Sequence, residues 1–234
     1  MTAVDPRLEV AQASRILFGQ GVVDAFGHAS RRHPGRSDRF FMSRSMAPGL
    51  VTPGDVIEHD LEGEPVEAPG TRVFLERFIH AEIYRRRADV QAIVHSHAPS
   101  VIPFTVVEQA VRPIAHTCGF LHGLGPAFDV ADQAGDATDL LVRNAALGRA
   151  LADHLGDANV VLMRSHGFTA IGGSVAEAVF RAVYTALNCQ LQAAAMQLGT
   201  PRYLSSGEAA ACEASTRGQA DRAWTLWLTQ FCPE

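Results

Sequence analysis

The spacing of apolar residues alternates along the chain between a helical and a strand period. Residues 6–19 place apolar side chains at helical spacing and end at a glycine, which predicts a helix packed against the core. Apolar runs within 39–44, 92–98 and 159–163 contain β-branched or other bulky residues and predict strands. Residues 56–64 contain a fourth such run followed by Glu-Gly-Glu, which predicts a hairpin.

Three further segments carry helical periodicity. Thr71 is placed to cap a helix from 72 to about 86, whose apolar residues form one stripe. Leucines at helical spacing predict a second helix over 139–155. A capping box at Ser174 begins an alanine-rich helix that extends to about residue 198.

The order of these elements predicts the fold class. Strands and helices alternate, with hairpins among them, and no composition shift marks an internal boundary. We therefore expect a single α/β domain spanning 1–234, a three-layer α/β/α sandwich around a mixed, mainly antiparallel sheet. The aromatic residues of the C-terminal segment are expected to close the core.

Composition narrows the functional classes. The hydrophobic fraction is 47% and the charged fraction 19%, which is typical of a folded globular protein. A net charge of -5 with scattered arginines argues against nucleic-acid binding. No apolar window has transmembrane length and the N-terminus lacks a signal-peptide pattern, so a cytoplasmic protein without membrane contact is expected. The widely spaced cysteines, which predict free thiols, are Cys118, Cys189, Cys212 and Cys232.

The absence of lysine among the basic residues restricts the possible chemistry. All 20 are arginine, and the chain has no lysine. Schiff-base catalysis and attachment of pyridoxal phosphate both need a lysine amine. Both mechanisms are excluded, and carbanion chemistry in this chain needs another electron sink, such as a metal ion.

Two histidines end the apolar run at 92–98. Side chains at positions i and i+2 of a strand leave the same face, so His95 and His97 present two imidazoles side by side. A second apolar run, 159–163, is followed by His166, and Glu76 lies in the helix predicted upstream. Three imidazoles and a carboxylate suit a catalytic divalent cation that keeps a position open for substrate.

Each of these residues also has a structural interpretation. Histidines at strand ends are often satisfied core or surface residues. Glu76 borders an apolar stripe, where a carboxylate is costly unless it is paired, and an ion pair with Arg72 or Arg77 would also satisfy it. His59 is expected on the surface of the hairpin. The remaining loop histidines, His116 and His122, are expected to be incidental.

A further set of polar residues follows Gly27. Glycine lets the backbone approach a ligand, and His28, Ser30 and Arg31 offer hydrogen-bond donors. A basic turn before a strand explains the same pattern.

Glu76, the Ile-Val-His-Ser-His run at 93–97 and the Ser-His-Gly run at 165–167 together resemble the class II aldolase/adducin family. The resemblance extends from Gly27 through the helix after Ser174. It implies a homotetramer with active sites at subunit interfaces. It also implies a zinc or manganese ion on His95, His97 and His166, with Glu76 as both metal ligand and catalytic carboxylate.

Departures from the sugar-phosphate aldolases of this family indicate a different substrate. Phe74 and Leu75 stand where those enzymes carry two phosphate-binding serines, and His28 stands in place of an asparagine. Loss of these hydroxyl donors disfavours a phosphosugar and favours a flatter, less polar molecule. The chain is similar instead to the decarboxylases of the family, which act on hydroxylated aromatic or muconic-semialdehyde-type carboxylic acids.

The mechanistic hypothesis is loss of carbon dioxide, with the cation stabilising the enolate that develops. Arg31, Arg44 or His28 would orient carboxylates, and Glu76 or a metal-bound water would return the proton. The residues expected to bind substrate are His28, Ser30, Arg31, Ser43, Arg44, Phe74 and Leu75. Two alternatives remain: an aldolase for a small non-phosphorylated hydroxy-oxo acid, and a non-catalytic adducin-like interaction module.

Overall fold

A six-stranded antiparallel sheet forms the centre of the computed structural model, which describes residues 5–68 and 70–233. Its spatial order is β3-β2-β1-β4-β6-β5. The strands are β1 (His28–Arg32), β2 (Arg39–Ser43), β3 (Val56–Asp60), β4 (Ala92–Ser96), β5 (Val160–Met163) and β6 (Gly167–Gly172). The α-helices are α1 (Pro6–Gly19), α2 (Arg77–Arg86), α3 (Ala131–Ala134), α4 (Ala145–Leu155), α5 (Val175–Leu198), α6 (Ser206–Thr216) and α7 (Ala220–Phe231).

Helices cover both faces of this sheet. On β4, Val94 belongs to the core cluster that includes α1 and α5, while its neighbour Ile93 belongs to the cluster that includes α2 and α4. Successive residues of a strand point to opposite faces, so one strand contributes to two hydrophobic layers. The expected three-layer α/β/α class is confirmed. All pairings between the six strands are antiparallel, and an isolated bridge from Phe128 to Met163 is parallel.

The register of β4 with its neighbours positions the polar residues of the sheet. His95 lies opposite His28 of β1 on one side and Thr169 of β6 on the other. Directly paired residues in antiparallel strands point to the same face and lie close together. Both neighbours of His95 are therefore brought to it by strand pairing.

The expected helix over 72–86 is wrong at its N-terminus. The helix begins at Arg77, Glu76 occupies the N-cap position and Thr71 makes no cap. The carboxylate of Glu76 is held instead by a hydrogen bond from the backbone of Val142, 3.1 Å away. Tertiary contacts of residues 72–76 therefore override the helical spacing of their apolar side chains.

The expected helix over 139–155 also begins late, at Ala145. The side chain of Asn144 caps it by accepting a hydrogen bond from the Leu147 amide. Leu140 has a φ of 64°, a left-handed conformation that cannot continue an α-helix. By contrast, Ser174 caps α5 as predicted, accepting from the Glu177 amide, although the Glu177 carboxylate bonds to the Gly173 amide rather than to Ser174.

The expected surface position of His59 is wrong. Its side chain is buried and its ring stacks on Phe40, with centroids 5.1 Å apart. The predicted hairpin is also reduced: β3 pairs with β2, and its return segment makes an isolated bridge between His59 and Pro65. In the C-terminal segment, Trp227 is buried and Trp224 packs on the core, as predicted.

Among the described residues, none of the helices has both the length and the apolar character needed to traverse a lipid bilayer.

Candidate metal centre

The end of β4 and the turn between β5 and β6 bring three histidines together. β4 carries His95 near its end, and His97 follows one residue beyond the strand. His166 lies in the tight turn between β5 and β6, where Ser165 has a φ of 55°. Gly167 has a φ of 155° and lies so close to Ser96 that a Cβ atom would collide with the backbone of that residue. The turn therefore approaches β4 closely enough to place His166 beside His95.

The ligand atoms of these residues converge with the Glu76 carboxylate. The Nε2 atom of His95 lies 2.9 Å from that of His97 and 3.1 Å from that of His166. Glu76 Oε2 lies 3.5 Å from Nε2 of His95, 4.0 Å from that of His97 and 3.3 Å from that of His166. One ligand atom from each residue falls within 4.8 Å of all the others.

This spacing suits a divalent cation. Ligands at about 2.0–2.1 Å from a tetrahedral ion lie roughly 3.3 Å from one another. Two of the other ring nitrogens also have partners: His95 Nδ1 lies 3.1 Å from the Thr169 hydroxyl, and His166 Nδ1 lies 3.0 Å from the Leu140 carbonyl oxygen. A neutral imidazole that donates through Nδ1 presents an Nε2 lone pair, which is the arrangement of metal-ligating histidines.

The electrostatics of the group are consistent with ligation. Burial opposes ionisation of Glu76, but the nearby imidazoles of His95 and His166 outweigh it and lower the pKa of the carboxyl far below its ordinary value. Burial lowers the pKa of His97 to about 3 and also lowers the pKa of His95. For His166 burial acts in the same direction, but its hydrogen bond with Glu76 raises the pKa overall. Metal ligation requires deprotonated side chains, and most of this group is already in that state.

The backbone of the segment before α4 forms hydrogen bonds with two of the four candidate metal ligands. The carbonyl oxygen of left-handed Leu140 accepts from His166 Nδ1, and the amide of Val142 donates to Glu76 Oε1. Sequence patterns missed both contacts, because the segment had the periodicity of a helix. They fix the orientation of an imidazole and a carboxylate that lie 90 residues apart in the chain.

An open cleft of about 570 Å³ leads to Glu76 and His97. Three residues expected to bind substrate line it: His28, Phe74 and Leu75. Most of the other walls are apolar. The lining residues that were not anticipated include Ala25, Phe26, Ser45, Met46, Ala47, Arg72, Val73 and Leu141.

The structure does not bring Ser30, Arg31, Ser43 or Arg44 to this cleft. Arg31 forms an ion pair with Glu9 of α1, and Arg44 forms one with Asp55 at 2.9 Å. Ser43 is buried at the end of β2, and Ser30 lies behind His28, where it bonds to other side chains of the core.

Arg72 is the arginine that lines the cleft. It is exposed, and its guanidinium makes no ion pair or hydrogen bond within the described ranges 5–68 and 70–233. The sequence gives no signal for this role, because Arg72 lies in the predicted helix over 72–86, where an ion pair with Glu76 would satisfy it. An unpaired guanidinium beside a candidate metal site is suited to binding a carboxylate.

The comparisons with known proteins agree with the fold. The family model of the class II aldolase and adducin N-terminal domain matches residues 8–193. The chain is 40% identical over 238 residues to decarboxylase tropJ of Talaromyces stipitatus, covering 92% of this chain and 90% of that protein. It is 30% identical over 200 residues to the 3,4-dihydroxyphthalate decarboxylase of Arthrobacter keyseri, covering 78% and 75%.

A solved aldolase II superfamily structure from Pseudomonas syringae has the same fold, with a TM-score of 0.80 at 22% identity, covering 97% of this chain and 91% of that one. Decarboxylases and class II aldolases are both carbon–carbon lyases, and the similarity supports that class of enzyme here. The family model covers most of the chain, and the first relative is similar over nearly all of it. The chain belongs to the class II aldolase and adducin family.

Proposed function

We propose that this protein is a metal-dependent decarboxylase of a hydroxylated aromatic or muconic-semialdehyde-type carboxylic acid. The observation that carries the proposal is the convergence of three imidazoles and Glu76 at an apolar cleft. The decarboxylase activities named for two relatives support the same reaction. The four ligand side chains also argue against a non-catalytic, adducin-like role.

The proposed cofactor is Zn²⁺ or Mn²⁺, held by His95, His97 and His166 with Glu76. When bound, such an ion supplies Lewis-acid stabilisation of the negative charge that develops on a carbonyl oxygen. Glu76 is ionised and next to this position. It accepts the proton of the substrate hydroxyl and returns it to the carbon that loses carbon dioxide.

Substrate selection comes from the walls of the cleft. Phe74 and Leu75 supply apolar surface for a flat ring, and neither can bind a phosphate through a hydroxyl. His28 and Arg72 offer donors for carboxylate oxygens on the same walls. We therefore propose that Arg72 binds a carboxylate of the substrate, a role that the sequence had suggested for Arg31 or Arg44.

Three further proposals concern the whole protein. The sequence pattern supports a single domain spanning 1–234 and a cytoplasmic location, and the family resemblance supports a homotetramer with active sites at its subunit interfaces. Size-exclusion chromatography with light scattering tests the tetramer, because a mass near that of one chain, 25.1 kDa, would exclude it.

A product assay tests the reaction. Zinc- or manganese-loaded protein is incubated with 2,3-dihydroxybenzoate, 3,4-dihydroxyphthalate and 2-hydroxymuconic-semialdehyde carboxylates, and carbon dioxide is measured. Release of carbon dioxide that disappears on chelation supports the proposal. Retro-aldol cleavage uses the same cation and carboxylate, so aldehyde formation from hydroxy-oxo acids without carbon dioxide release would assign an aldolase instead.

A further inference from the structure

A chain of hydrogen bonds runs from His28, at the cleft, into the core through three residues that the proposed reaction does not use. His28 lines the cleft, and its Nδ1 lies 2.8 Å from His80 Nε2. His80 Nδ1 lies 2.6 Å from the Ser30 hydroxyl, which lies 2.8 Å from the hydroxyl of Tyr84. All four side chains are buried. We call this the His28–Tyr84 relay.

The closed end of the relay determines its direction. Within the described residues, the Tyr84 hydroxyl has no hydrogen-bond partner except Ser30. A buried hydroxyl that cannot donate costs free energy, so Tyr84 donates to Ser30. The Ser30 hydroxyl then donates to His80 Nδ1. His80, whose pKa is lowered by burial, therefore carries its proton on Nε2 and donates it to His28 Nδ1.

The consequence appears at the open end of the relay. With Nδ1 of His28 acting as an acceptor, the neutral ring carries its proton on Nε2. His28 Nε2 has no partner in the part of the chain that the structure describes, and the residue faces the cleft. If every hydrogen bond of the relay ran in the opposite direction, the proton of His28 would lie on Nδ1 and the Tyr84 hydroxyl would have no acceptor for its own proton.

We propose that Tyr84, Ser30 and His80 are positioning residues that hold His28 as an Nε2–H donor toward an oxygen of the bound substrate. This positioning role rests on the proposed function, because it requires a substrate with carboxylate oxygens near the metal. A ring held in the other tautomer would present a lone pair and repel a carboxylate. The relay thus selects an anionic substrate through a side chain that carries no charge.

The first arm of the test measures tautomers. Zinc-loaded protein labelled with ¹⁵N-histidine is examined by long-range ¹H–¹⁵N NMR, with signals assigned from the H28N and H80Q variants. The expected result is a proton on Nε2 of both His28 and His80. A proton on Nδ1 of His28 would overturn the proposal, whether or not the protein decarboxylates any substrate tested.

The second arm uses variants that keep the shape of the core. Y84F retains the ring that packs under the Arg32 guanidinium, whose Cζ lies 4.7 Å from the ring centroid. Y84F and S30A are each expected to lower kcat/KM for decarboxylation roughly 3- to 10-fold, which is the loss expected for one neutral hydrogen bond. Zinc content and Tm serve to detect damage to the metal site or fold. Y203F, which removes a hydroxyl far along the chain, is the matched control.

The two proposals fail in different ways. If wild-type protein releases no carbon dioxide from any carboxylate tested, the proposed function fails and the NMR arm still decides the relay. If decarboxylation is observed and Y84F and S30A both remain within twofold of wild type, the positioning role is refuted. A mixed His28 tautomer in Y84F, with zinc content unchanged, would support it.

Discussion

Two groups of histidines lie side by side in this fold and differ in their partners. The ring of His28, in the relay, lies 5.0 Å from the ring of His95, in the candidate metal centre. The metal-centre imidazoles turn their Nε2 atoms toward the Glu76 carboxylate, whereas the relay ends at the hydroxyl of Tyr84. A carboxylate among imidazoles creates a cation site, and a hydroxyl creates a neutral hydrogen-bond chain. The difference shows that the partner of a histidine, rather than its burial, determines its chemistry.

Removal of a candidate metal ligand should give the largest difference in metal content and turnover between the two groups of histidines. H166A is expected to reduce metal content from about one ion per chain toward zero and turnover by roughly 1,000-fold or more, because an ion with too few ligands is not retained. S30A, in the relay, should keep the full metal content. Inductively coupled plasma mass spectrometry measures the ion, and H116A is the control for loss of an exposed histidine. Full metal content and turnover in H166A would refute the three-imidazole centre.

Replacement of the carboxylate tests the proton-transfer role. E76Q keeps the shape of the side chain and one oxygen ligand, but it cannot carry a proton between substrate atoms. Turnover is expected to fall about 100- to 10,000-fold, the range of general acid–base catalysis, with most of the metal retained at saturating concentration. Single-turnover kinetics on metal-loaded protein measure this effect. Turnover within a factor of three of wild type would remove Glu76 from the mechanism.

A smaller effect is expected from the residue behind His95. T169V removes the hydroxyl that contacts His95 Nδ1 while keeping a β-branched side chain in β6. Loss of such a partner typically weakens metal affinity about 10- to 100-fold. Competition with a chromogenic chelator measures the affinity. T185V, which removes a buried hydroxyl bonded within α5, is the matched control.

His59 extends the comparison to a histidine with no role in either group. Burial lowers its pKa from 6.5 to about 4. The unfolded chain takes up a proton on His59 near pH 6.5, whereas the folded chain does so only near pH 4. The free energy of unfolding is therefore highest above pH 6.5 with respect to this residue, and it decreases as the pH falls toward 4. This residue should remove about 3 kcal/mol from the free energy of unfolding between pH 7 and pH 4.

Urea denaturation at several pH values measures that dependence. H59Q cannot titrate at this position and should show a shallower decline of unfolding free energy with falling pH than wild type. H116Q, at an exposed position, is the control for replacement of any histidine. Parallel pH profiles for wild type and H59Q would contradict the assignment.

Much of the candidate metal centre was predictable from local pattern. The His-x-His run ends an apolar strand, and two residues at that spacing share a face whatever the rest of the fold does. His166 was found because its surroundings repeat the same pattern. Phe74 and Leu75 were assigned to the substrate pocket by resemblance, and both line the cleft.

The environment of those residues was not predictable. Arg31 and Arg44 were expected to bind carboxylates of the substrate, but packing of distant segments brings Glu9 to Arg31 and Asp55 to Arg44. Nothing in the sequence distinguished Arg72 from the other arginines. Because α2 begins only at Arg77, Arg72 lies outside the helix, in the segment that lines the cleft. The single-domain boundary and the quaternary structure remain predictions.

The sequence by itself determined the fold class, the H-x-H pair and the exclusion of lysine chemistry. The first two depend on the spacing of residues that are close in the chain, and the third depends only on composition. Only the tertiary structure decided which side chains meet. The antiparallel register placed His28 and Thr169 beside His95, and left-handed Leu140 brought a backbone carbonyl to His166. Contacts between residues 26 to 74 positions apart depend on packing, and local spacing carries no information about them.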